Sequence, residues 1–278
     1  MLKFILIGTM FVSTFTIQTN SYPWIKNYDS NNTIATRIKV PQGYKRTQLA
    51  EESFENWLRN LPLKPQNTPV KYWNGQLKKN QNIHAAVVDI DFIGNNLQQC
   101  IDAIIRIRAE YLWSIGKADE TAFSYTCCSD KISWTKWKNG WRTKIVKKNN
   151  RDSFVWIKTE KYDDSYKNFH DYLFNIMMFA GTSSLSEDMN IINASDVSIG
   201  DAYIQGGAPG YGHGVLILDM AESSTGDKIM LLGQSYNPAE NLNILKSNSD
   251  ISPWFRVDFN ENLYTPQWTF NKNHAMRF

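Results

Sequence analysis

Two residues in this sequence have the types and settings that nucleophilic chemistry needs, Cys100 and His213. His213 stands in the run GDAYIQGGAPGYGHGVLILD (Gly200–Asp219), at the mouth of a strongly apolar strand and among Gly210, Gly212 and Gly214. Those glycines let the backbone turn sharply and leave room beside the ring for a substrate. Cys100 falls in the first turn of the most clearly helical stretch of the chain. Unpaired amides and the positive end of the helix dipole stabilise a thiolate there, and a neighbouring imidazolium adds to the effect, so a thiol pKa of roughly 8.5 is expected to fall by about one unit or more. A thiol at a helix start with an imidazole on a later strand is a pair that covalent hydrolysis through a cysteine can use.

Such a pair needs a third group to orient the base. The turn at Thr225–Asp227 returns the chain through Ile229–Leu232 to Gln234, at the level of His213. The Gln234 side-chain carbonyl is the expected acceptor of an imidazole N–H, with Asn237 as the other choice. Expected oxyanion donors are the Cys100 backbone N–H and the side chain of Gln98 or Gln99. Asp201 reads as a turn residue and His170 as a partly buried helix residue. His213 with Asp201 and Asp219 makes no familiar ligand set, and no Cys/His zinc spacing occurs, so neither a metal nor any other cofactor is expected.

The chain has three cysteines, an odd number. Cys127 and Cys128 are adjacent and are not expected to close on each other, so at most one bridge forms and one thiol stays free. The plainer alternative is that all three are small buried hydrophobes.

The elements that must hold the pair follow from periodicity. The spacing predicts a strand near Ile34–Val40, a helix over Glu51–Leu61 ended by Pro62, a small hairpin at Val70–Trp73 with Asn74-Gly75, and a strand over Ala85–Phe92. A helix over Leu97–Trp113 follows, capped by Asn95 or Asn96. An aromatic β meander is expected over Ser124–Lys158, then a helix over Ser165–Ala180 with Gly181 as its C-cap. Strands over Ala202–Gln205, Gly214–Met220, Lys228–Leu232 and Leu242–Leu245 complete an α+β chain. Residues 22–278 read as a single domain, with 22–84 an N-terminal extension and 85–278 the core.

Lys3, the apolar run Phe4–Val12 and the Ser/Thr-rich stretch after it predict a cleaved signal peptide over residues 1–21. The mature protein is then expected to be exported, periplasmic or extracellular, with no stable membrane span. A net charge of +3 with scattered Lys and Arg gives no field for nucleic acid. The one basic cluster, KWKNGWRTKIVKK (Lys136–Lys148), reads as a twisted polar hairpin with packed aromatics.

The sequence resembles a family of secreted bacterial proteins described as domain of unknown function 4846. The matching stretches are SFENWLRNLPLKP (Ser53–Pro65), LQQCIDAIIRIRAEYLW (Leu97–Trp113), FAGTSSLS (Phe179–Ser186), GDAYIQGGAPGYGHGVLILDMAE (Gly200–Glu222), LLGQSYNPAENLNILK (Leu231–Lys246) and SPWF (Ser252–Phe255). More distantly, the GD…GH…strand layout looks like the NlpC-type papain-like hydrolases, which cut peptide bonds in bacterial cell walls. That resemblance implies a papain-like core over 85–278, with Cys100 as nucleophile, His213 as base, Gln234 as third member, and peptidoglycan stem peptides or other envelope amides as substrates. Gln99-Cys100-Ile101-Asp102 stands where that group carries Asp-Cys-Ser-Gly. The competing expectation is a non-catalytic envelope binding or assembly protein on the same scaffold, with Trp134, Trp137, Trp141 and Trp156 as an exposed aromatic surface. The hydrolase reading expects iodoacetamide to label Cys100 selectively.

Overall fold

The longest strand, His213–Ser223, runs through the middle of the protein and is buried from His213 to Ala221. A strand apolar on both faces must be covered on both. In the computed structural model, which describes residues 21–206, 211–258 and 260–278, this strand forms a hairpin with Lys228–Gln234 about Gly226, whose φ of +88° suits glycine. The hairpin is the centre of a nine-stranded sheet. Its order is His84–Val87, Asn243–Leu245, Lys228–Gln234, His213–Ser223, Ala202–Gln205, Ala275–Arg277, Asn190–Ile191, and each of these pairings is antiparallel. At the far end of the hairpin the neighbours change: Tyr44–Arg46 pairs with residues 221–223 and Phe255–Arg256 with residues 229–230. Helices pack on this antiparallel sheet, so the fold is α+β.

Asp219 is a carboxylate inside the apolar strand and is wholly buried. Arg46 Nε lies 2.6 Å from one of its oxygens and Arg59 Nε 2.7 Å from the other. Arg46 also donates to the Ile38 carbonyl at 2.6 Å. These bonds fasten the helix Phe54–Arg59 and the strand Tyr44–Arg46 to the central hairpin, so the segment 22–84 is woven into the sheet.

The Cys100–Ser114 helix packs on the His213–Ser223 strand and is buried on almost every side. It carries two fully buried charges, Arg106 and Glu110. Arg106 Nε faces Glu110 Oε1 at 3.4 Å, and Tyr166 and His170 reach the same carboxylate at 2.9 and 3.2 Å. The remaining arms of Arg106 grip the segment before the helix, through Gln98 Oε1 at 2.6 Å, Asp91 Oδ1 at 2.8 Å and the Asp91 carbonyl. That grip holds Gln98 at a φ of +66°, in the left-handed region that non-glycine residues rarely adopt.

Several local expectations are corrected. Residues 34–37 form a helical turn and not a strand, because Thr33 and Thr36 cap each other, Thr33 N donating to Thr36 Oγ1 at 3.0 Å. The long helix starts at Cys100 behind Gln99, not behind Asn95 or Asn96; the Asp102 carboxylate accepts the Gln99 N–H at 3.0 Å. Gly181 does not cap the Tyr166–Phe179 helix, which ends at extended Ala180; it opens a further helix, Thr182–Asp188. A helix at Trp134–Lys138 interrupts the meander, capped by Ser133. Trp134 and Trp137 are buried, so they offer no exposed aromatic surface. Cys127 and Cys128 do close on each other, in the turn between strands Ala122–Tyr125 and Cys128–Ser133. The expected signal segment lies, except for Ser21, outside the described residues. Among the described residues no helix is long and apolar enough to cross a membrane.

Replacing Asp219 with Ala strands two arginines against a buried strand, and a loss of about 3–5 kcal/mol is expected from the urea unfolding midpoint. A loss below about 1 kcal/mol, the range of a surface pair, contradicts the account.

Candidate active site

Cys100 is the first residue of its helix, and the helix start rests on the strand residue that follows His213. A Cβ on Gly214 would lie 3.2 Å from both Ile101 Cγ2 and Ile104 Cδ1, so the glycine gives the two isoleucine side chains of the helix close access to the strand. The backbone amides of Ile101, Gly214 and Cys100 itself surround the sulfur and favour its thiolate form. Cys100 and His213 line one cleft of about 650 Å³. Met177, Met178, Gly181 and Thr182 from the two helices and Tyr236, Asn237 and Trp268 from loops also line it. Tyr211 stands exposed at the rim, while residues 207–210 of the glycine-rich loop lie outside the described residues.

His213 is 2 % exposed, and its ring is enclosed by Tyr236, Trp268 and Phe270 at centroid distances of 4.7, 5.3 and 5.7 Å. Its Nε2 lies 2.9 Å from Gln234 Oε1. Asn237, the other choice for that role, lines the cleft wall. Gln234 reaches the ring because its strand pairs with the His213 strand. The loop after it is bolted to the segment before Cys100: Ser235 Oγ lies 2.9 Å from the Gln98 carbonyl, and Ala239 N donates to Asn96 Oδ1 at 2.8 Å.

The two expected side-chain oxyanion donors part ways. Gln98 is absent from the cleft lining, since its Oε1 accepts from Arg106 and Ile93 N and its Nε2 donates to the Asp91 carbonyl. Gln99 does line the cleft, with its Nε2 donating to the Asn96 carbonyl at 3.1 Å. The set of His213 with Asp201 and Asp219 does not assemble as a metal site, because Arg277 holds Asp201 and Arg46 and Arg59 hold Asp219.

Electrostatics correct one expectation. Burial pushes the Cys100 thiol up to about 11, the nearby Asp102 carboxylate adds to the rise, and the surrounding amides offset only part of it. Burial also lowers His213 to about 4, against the hydrogen bond to Gln234, which favours the charged ring. At neutral pH both groups are uncharged, so the arrangement suits a general base that takes the sulfur's proton during attack more than a preformed ion pair.

Asp102 has no motif that marks it as a site residue in the sequence, although its place three residues after Gln99 marks a helix start. It lines the cleft beside Cys100, and burial raises it to about 7. One of its oxygens has no hydrogen-bond partner.

Two outcomes follow. Because Cys127 and Cys128 are bonded to each other, iodoacetamide is expected to label Cys100 alone without reductant. Labelling at pH 7 should run at least about a hundredfold slower than for free cysteine and accelerate with pH; labelling at the free-thiol rate contradicts the burial. The second outcome concerns stability against pH. The folded state keeps His213 neutral where the unfolded chain binds a proton, so His213 removes stability as pH falls from 6.5 to about 4. Asp102 holds a proton that the unfolded chain has lost, so it removes stability as pH rises from 3.8 to about 7. The two oppose each other in the overlap. Urea midpoints there should rise with pH in Asp102→Asn and fall with pH in His213→Gln; parallel slopes in the two variants contradict the assignment.

A family model described as "Domain of unknown function (4846)" matches residues 34–277. No curated protein matches the chain, and no solved structure does.

Proposed function

The chain belongs to the domain of unknown function 4846 family, and from that premise, which carries no activity with it, we propose that the protein is an exported cysteine hydrolase of papain-like type acting on amide bonds of peptidoglycan stem peptides or related envelope peptides. The observation that carries this reading is the shared cleft: a helix-start thiol and a strand imidazole line it together, and the imidazole is bonded to a glutamine on the next strand. The chain order of nucleophile, base and amide, with a helix laid on an antiparallel sheet, supports a papain-like assignment. A bonded Cys127–Cys128 pair and the apolar run near the N-terminus support export.

In the proposed reaction Cys100 Sγ attacks the substrate carbonyl carbon while its proton passes to His213. The oxyanion takes the Cys100 backbone N–H, one of the amides that a helix start leaves unpaired. The C–N bond then breaks, and His213 returns the proton to the leaving amine. Water, losing a proton to His213, attacks the thioester, and collapse of that adduct releases the carboxylic acid and restores the thiol.

A second reading, a binding protein on the same scaffold, is favoured by the raised thiol and the lowered imidazole. One experiment separates the two. Purified protein is incubated with cell-wall sacculi and with soluble stem peptides, and released amines are measured. Hydrolysis by wild type, with a fall of about a thousandfold or more in both Cys100→Ala and His213→Gln, is expected. Tight binding to sacculi with no released fragment from wild type or Cys100→Ala supports the binding protein and contradicts the hydrolase.

A further inference from the structure

Behind His213 the hydrogen bonds continue through buried and partly buried polar side chains. Gln234 Oε1 faces the ring at 2.9 Å, and Gln234 Nε2 donates to Gln267 Oε1 at 2.9 Å. The same Gln267 oxygen accepts from Lys78 Nζ at 2.7 Å. Lys78 is buried and donates a second bond to Glu240 Oε1 at 2.6 Å, and Asn243 Nδ2 reaches that carboxylate oxygen at 3.2 Å. The Lys78 ammonium also lies 5.6 Å from the centroid of Tyr236, the ring that packs on His213.

We propose that Lys78 and Gln267 are positioning residues that fix which nitrogen of His213 carries the proton. An ammonium has donors and no acceptor. The Gln267 atom facing Lys78 must therefore be its carbonyl oxygen, whichever way the amide is otherwise free to turn. That oxygen then accepts from the Gln234 NH₂, which turns the Gln234 oxygen toward the imidazole. An oxygen acceptor there requires His213 Nε2 to be the protonated nitrogen, which leaves Nδ1 with a lone pair. Every link has one allowed direction once Lys78 is charged. Glu240 keeps it so: burial pulls the lysine down, and the neighbouring carboxylate opposes that pull. Without Lys78, Gln267 loses its donor-only partner, and Glu240, whose carboxylate the Gln234 amide also reaches, loses the cation that opposes the effect of burial and favours its charged form. Gln267 and Gln234 can then flip together, which presents an NH₂ to Nε2 and moves the ring proton to Nδ1, the nitrogen a general base needs free.

The inference depends on the hydrolase reading only for its effect on rate, so its test begins with a measurement that involves no substrate. In protein with ¹⁵N-labelled histidine, long-range nitrogen–proton correlation spectra report the tautomer of each ring. The His213 signals are assigned as those missing from His213→Gln. Wild type is expected to show His213 neutral and protonated at Nε2. Lys78→Met and Gln267→Met should each shift His213 toward the Nδ1–H form, while Lys78→Arg, which keeps a donor-only cation, restores the wild-type form. Gln267 is only partly buried, so its variant keeps the test open where Lys78→Met does not fold. An Nδ1–H ring in wild type, or an unchanged Nε2–H ring in the folded variants, overturns the inference. With hydrolysis established, Lys78→Met should lower kcat by about a hundredfold with KM little changed. A wild-type tautomer pattern with no hydrolysis contradicts the hydrolase reading and leaves the positioning role standing.

Discussion

The seat of the Cys100 helix on Gly214 is the contact on which the rest of the site depends. Without a Cβ on the strand, Ile101 and Ile104 approach its backbone closely, and this brings the helix start level with His213. The contact is held from both sides. Arg106, inside the helix, draws in the segment that leads to Cys100, and the loop after Gln234 hydrogen-bonds to that same segment. A helix start fixed in this way can be buried, which closes the sulfur off from bulk water as it supplies backbone amides around it.

That burial sets the chemistry. A thiolate and an imidazolium both lose solvation here, and neither is the resting form. Backbone amides and the Gln234 oxygen favour the charged forms but do not outweigh desolvation. A reacting substrate changes the balance, since the thiol's proton then moves as a bond to carbon forms and the negative charge passes to an oxygen that amides can stabilise. Asp102 works the other way: where its carboxyl is ionised, the charge beside the sulfur adds to the rise that burial gives the thiol. A buried carboxyl with one unpartnered oxygen in the cleft is a group whose energy changes most when a donor arrives from solution.

The sequence was legible where one element carries its own signal. The apolar run after His213 reads as a central strand and the Gly226 turn returns its partner toward Gln234, but the face that Gln234 shares with His213 is set by the register shift between Leu231 and Leu232, which no local signal marks. The helix at Cys100 follows from its apolar faces, although its true start, one residue after Gln99, is marked by Asp102 and not by the asparagines upstream. What stayed hidden depends on partners distant in the chain. Gln98 looks like a free amide beside a nucleophile until Arg106 folds back onto it. Lys78 sits in a polar loop with no periodicity, and its meaning comes from Glu240 and Gln267. The tryptophans near residue 137 look exposed among lysines, yet a short helix turns Trp134 and Trp137 inward. The bond between Cys127 and Cys128 runs against the expectation for neighbouring cysteines.

The most direct measurement is the separation of Cys100 Sγ and His213 Nδ1 in a crystal structure of the protein at neutral pH. The account predicts about 3–4 Å, the reach of a loosely formed resting pair. A sulfur and a ring nitrogen more than about 6 Å apart, with other side chains packed between them, contradicts it.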